Sequence, residues 1–152
     1  MRYLLILPTA MLVLASCQQK VQTADSTASP LNGSWKLLNS KSIIKKDTTD
    51  TSPKKGIETI KLYNDDHFSF FTHNTVKIDT PQFVAGAGTY TLSGGTYTEH
   101  LQYCNAREWE NHDFNFTLTV KNDTMQQRGV EKIDSLHIDH IIIETYVKMK
   151  SK

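Results

Sequence analysis

The sequence predicts an all-β protein, a closed antiparallel up-and-down barrel of about eight strands. Three observations carry this. Short segments rich in Thr, Tyr, Phe, Ile and Val recur from Leu31 onward, separated by Gly or Asn/Asp pairs of the kind that close hairpins. No window shows a sustained helical period. The number of segments suits closure, which removes unpaired strand edges and leaves an interior for one small ligand.

Strands are expected near residues 33 to 40, 57 to 63, 67 to 73, 86 to 92, 96 to 103, 113 to 121, 124 to 130 and 140 to 149. Between the first two, LNSKSIIKKDTTDTSPKKG is polar apart from Ile43 and Ile44, and its later part, Lys45 to Gly56, reads as a mobile loop. In AGAGTYTLSGGTYTEHLQY a two-residue turn at Gly94-Gly95 sets Leu92 opposite Tyr97, Tyr90 opposite Glu99 and Gly88 opposite Leu101. Tyr90, Leu92, Tyr97, Glu99, Leu101 and Tyr103 then face inward, while Thr89, Thr91, Thr98, His100 and Gln102 face solvent. A turn at Asn122-Asp123 turns Phe114, Phe116, Leu118 and Val120 inward with Met125, Gln127 and Gly129, and Arg128 outward. Around Asn64-Asp65-Asp66 a three-residue turn matches Leu62 with Phe68 and Ile60 with Phe70. The two-residue alternative is rejected because it sets Lys61 against Phe70.

The chain has 152 residues, enough for one domain with a core, and its 38% hydrophobic and 22% charged residues fit a globular body. It carries 17 Lys+Arg against 16 Asp+Glu, a balance without a basic stripe, which speaks against nucleic acid as a partner. MRYLLILPTAMLVLASC has one arginine and then an apolar run too short to span a bilayer permanently, the pattern of a signal peptide over residues 1–16. Residues 17–30 hold little to bury and read as a flexible tether, so the folded domain spans 31–150. Cys104 has no partner for an intramolecular disulfide in the exported domain and reads as structural.

Two resemblances add to this. Leu14-Ala15-Ser16-Cys17 resembles the lipobox of bacterial lipoproteins, which implies that Cys17 becomes a lipid-carrying N-terminus; several acyl chains make such an anchor stable. Gln18, Gln19 and Lys20 lack the acidic cluster of surface-export signals, so the implied location is the cell envelope, in the outer membrane and facing the periplasm. Gly33-Ser34-Trp35 at the head of the first strand is similar to the Gly-x-Trp of lipocalins. With the run through GAGTYTLSGGTYTEHLQY, residues Leu31 to Lys150 resemble the lipocalin-like (calycin) domains of small Gram-negative lipoproteins. The resemblance implies that Gly33 and Trp35 are structural, closing one end of the barrel. Lys148 stands where lipocalins place an arginine over the tryptophan, and an ammonium lacks guanidinium's planar face.

The expected interior is a pocket with apolar walls and a few polar handles. Candidate ligand-binding residues are Phe68, Phe70, Tyr90, Tyr97, Glu99, Tyr103, Phe116 and Gln127. A buried carboxylate needs a donor, and Tyr90 opposite Glu99 can supply one; the cluster is either a self-satisfied structural unit or a contact for the polar head of an apolar or amphipathic ligand. An enzyme using Glu99 as acid or base is a weaker reading, since no nucleophile motif or phosphate loop accompanies it. His67, His73 and His100 point outward and His137 and His140 read as a solvated pair, so no metal or cofactor is expected. A third reading is a protein-interaction module of an envelope complex, resting on outward Phe71, exposed Trp109 and the loop from Lys45.

Overall fold

The computed structural model describes residues 28–150. Its strands are β1 (Gly33–Ile44), β2 (Asp47–Asp50), β3 (Ile57–Tyr63), β4 (His67–Asn74), β5 (Phe83–Ser93), β6 (Thr96–Cys104), β7 (His112–Lys121), β8 (Thr124–Ile133) and β9 (Ile138–Lys148). Each of β3 to β8 pairs antiparallel with the next, and β1 pairs with both β3 and β9, so eight strands close into an up-and-down barrel. The signal segment 1–16, Cys17 and the tether as far as residue 27 lie outside the described residues.

Two hairpins follow the register read from their turns. Gly94 and Gly95 have φ of 59° and 83°, the left-handed pair that a two-residue hairpin requires, and Tyr90 sits opposite Glu99 and Leu92 opposite Tyr97. Leu118 pairs with Gln127 and Val120 with Met125 across the Asn122-Asp123 turn. Val120 keeps its inward parity but ends in the barrel rim, 37% exposed.

Four expectations are corrected. Lys61 pairs with Phe70 and Tyr63 with Phe68, the register rejected above, so Lys61 turns inward and Leu62 outward. Phe68 and Phe70 both remain inside. In β6 the register shifts between Gly88, which pairs with Leu101, and Ala87, which pairs with Tyr103; the bulge at Gln102 flips the face, and Tyr103 is 68% exposed. The segment expected as a loop from Lys45 contains β2, which pairs with the end of β1. Trp109 is half-buried against Phe114, its ring 5.9 Å away, because a 3-10 turn over Arg107–Trp109 folds it back on the core.

The inward glycines Gly88 and Gly129 do not open space for a ligand. A Cβ on Gly88 would lie 1.9 Å from the His100 carbonyl oxygen, and one on Gly129 would lie 2.1 Å from that of Asn115. The space belongs to the neighbouring backbone where the sheet bends tightly.

One end of the barrel is packed shut. Trp35 is fully buried, its indole N–H donates to the Leu31 carbonyl at 2.6 Å, and the Lys148 ammonium lies 5.3 Å from its ring centroid. Lysine thus provides the cation over the tryptophan by charge, without stacking. Tyr63, Tyr90, Tyr97 and Phe116 fill the level above with ring centroids 5.5 to 6.0 Å apart. The Tyr90 hydroxyl donates to the Asn64 carbonyl at 2.7 Å and hydrogen-bonds Ser29 Oγ at 2.6 Å, so the last residues of the expected tether seal this end.

Candidate functional site

The other end is open because β1 and β3 part. They pair only over Gly33–Lys36, and beyond that point the segment after β2 takes the place of β3 beside β1: Thr51 N–H donates to the Ser40 carbonyl at 2.9 Å and Ser40 N–H to Ser52 Oγ at 3.0 Å. A cavity of about 570 Å³ descends from this mouth into the barrel.

At its floor Lys61 from β3 and Glu99 from β6 form a buried salt bridge. Phe68, Tyr97 and Tyr63 surround the ammonium with ring centroids 5.2, 5.6 and 5.8 Å away. Burial alone would drive the Lys61 ammonium down, but the Glu99 carboxylate, with smaller help from Tyr63 and Glu144, holds it above the ordinary lysine value. The donor for the buried Glu99 carboxylate thus comes from another strand: Lys61, and not Tyr90, satisfies it. The hydroxyls of Tyr63 and Tyr97 have no hydrogen-bond partner, and burial pushes both phenols upward.

On the facing wall Glu144 of β9 accepts from Gln127 Nε2 at 2.8 Å and from the Tyr146 hydroxyl at 2.7 Å, both on Oε2. Burial pushes its carboxyl up, against the pull of Lys61 and of these donors. Higher on the wall Glu131 of β8 lies 2.8 Å from His140 Nε2, and His140 Nδ1 lies 3.2 Å from Ser42 Oγ. With Glu131 ionised, Nε2 is the donor to its carboxylate. Burial also raises the Glu131 carboxyl, although His140 opposes it. Ser40, Thr51, Ser52, Thr59 and Thr72 add hydroxyls around the mouth, and Leu37, Phe70 and Ile142 supply the apolar share.

Of the residues singled out in the sequence, Glu99, Gln127 and Phe70 line this cavity, while Phe68 and Tyr97 stand beneath it around Lys61. Phe116 stacks on Tyr97 in the core, Tyr90 seals the closed end and Tyr103 lies outside. Lys61, Glu131, His140, Glu144 and Tyr146 were missed, and His140 is not the solvated surface group expected, its side chain being 23% exposed at the cavity wall. A signal for the β9 residues was present. Once Lys148 is set over Trp35, alternation alone turns Tyr146, Glu144, Ile142 and His140 to the same face.

His67 and His100 pair with Asp66 and Asp113 on the outer surface, and among the described residues no three His, Cys, Asp or Glu side chains converge as a metal site requires. No family model and no curated protein matches the chain.

Proposed function

We propose that the chain is a lipid-anchored, lipocalin-like protein of the bacterial cell envelope, held in the outer membrane toward the periplasm, whose barrel binds one small molecule. The observation that carries binding is the open cavity of about 570 Å³, in the size range of small-molecule sites. Its walls redirect the chemistry of the ligand. A largely apolar ligand would desolvate Glu131 and Glu144 and leave Gln127 Oε1 without a donor, whereas a polar ligand can supply hydrogen bonds to all three. Glu99 is held by Lys61 and so is poorly disposed to move a proton, which weighs against an acid-base enzyme built on it. An interaction module remains the second reading, favoured by Leu62 and Tyr103, which share an outer groove beside Ala87 and Gly88.

Two measurements test this proposal. Native mass spectrometry of protein extracted gently from envelopes is expected to show one retained small polar molecule per chain; a chain that always emerges empty, while a protein partner co-purifies, favours the second reading instead. The anchor rests on the lipobox, so Cys17→Ser should release the protein from membranes, and a variant that resists a carbonate wash refutes it.

A further inference from the structure

We propose that the cavity selects a cationic ligand, a small molecule carrying a protonated amine that is received between Glu144 and Glu131. The inference rests on the polar-ligand reading above and adds the sign of the charge.

Two lysines line the cavity: Lys54 comes from the segment after β2 at the mouth, away from the β8 and β9 wall, and Lys61, the one at the floor, is already committed. Lys61 meets Glu99 and is enclosed by Phe68, Tyr97 and Tyr63, so that pair cancels. Glu144 receives only neutral donors, Gln127 Nε2 and the Tyr146 hydroxyl, and both use the same carboxylate oxygen. Glu131 receives His140, which is itself anchored to Ser42. Gln127 adds an independent observation. Its residue is 1% exposed, it lines the cavity, and its Oε1 accepts no hydrogen bond. The cavity therefore holds a surplus of acceptors and of negative charge on the wall shared by β8 and β9. A protonated amine supplies the missing donors and the missing charge together.

The pH dependence has one sign. Glu144 is faced by Lys61 from β3, Glu99 from β6, Gln127 from β8 and Tyr146 from its own strand, while Glu131 is faced by His140 and Glu144 from β9 and by Glu99 from β6. Both carboxyls are raised by burial, so they take up protons at higher pH than ordinary carboxylates. Protonation of Glu131 or Glu144 subtracts negative charge, and affinity for a cation falls as the pH is lowered.

Titration calorimetry with a matched trio of equal chain length, 1,6-diaminohexane, 1,6-hexanediol and adipate, tests the inference on the purified protein. The diamine should bind most tightly and adipate least. Glu144→Gln and Glu131→Gln should each weaken the diamine by about tenfold to a hundredfold, the worth of a charged hydrogen bond, and weaken the uncharged diol by less. Binding of the diol or adipate as tightly as the diamine, or indifference of the diamine to both substitutions, overturns the cationic class and leaves the polar-ligand reading standing. If none of the three binds, both fall.

Discussion

Lys61→Met will cost the fold about 3–5 kcal/mol, read as a lowered midpoint in urea denaturation, because it strands the Glu99 carboxylate in a buried site. Methionine fills nearly the same volume, so the loss reports charge and not a cavity. The double variant Lys61→Met/Glu99→Leu should be more stable than Lys61→Met alone, since replacing both partners removes the unpaired ion. Recovery will be incomplete, because Glu144 also feels the Lys61 ammonium and loses it in both variants. A double variant no more stable than the sum of the two single losses would show that the pair is not coupled. Glu99→Gln, which is close to neutral if Glu99 merely accepts from a tyrosine, becomes destabilising once an ammonium depends on it.

Gly88→Ala is the second large effect. The added methyl would stand 1.9 Å from the His100 carbonyl oxygen, well inside contact, and the obstacle is backbone that cannot swing away. The strand must shift at the bulge that sends Tyr103 outward, at a cost of about 3 kcal/mol or more, the upper end of overpacking penalties. Gly94→Asn is the control. Nothing lies within 4 Å of a Cβ there, and asparagine tolerates the left-handed φ of 59°, so its midpoint should stay within about 0.5 kcal/mol of the parent. Equal melting of Gly88→Ala and the parent would remove the close-approach account.

The barrel was legible because its evidence is local. Turn residues fix register one hairpin at a time, and Gly94-Gly95 and Asn122-Asp123 have side chains or φ preferences that admit few alternatives. The Asn64 hairpin failed for the converse reason. Apolar pairing across a single hairpin favoured Leu62 inside, but the inward position of Lys61 depends on Glu99, 38 residues away on β6, and no local rule sees such a partner. Tyr103 was misplaced because a bulge is one extra residue, invisible to strict alternation; Gly88 was its only local sign. The cavity's polarity was hidden for a third reason. Glu131, His140 and Glu144 come from β8 and β9, and it is the pairing of β9 with β1 that closes the barrel, so they meet Ser42 and Lys61 only after the ends of the domain come together.

Closure also leaves the sheet with very little to offer a second copy of itself. Among the described residues β2 is the strand that stands outside the closed barrel, and its edge carries Asp47, Thr48, Thr49 and Asp50, all exposed. Two such edges brought together would set acidic side chains against one another along a ladder of only four residues. The fold can therefore be packed densely, with its pocket facing outward, without knitting neighbouring molecules into a continuous sheet.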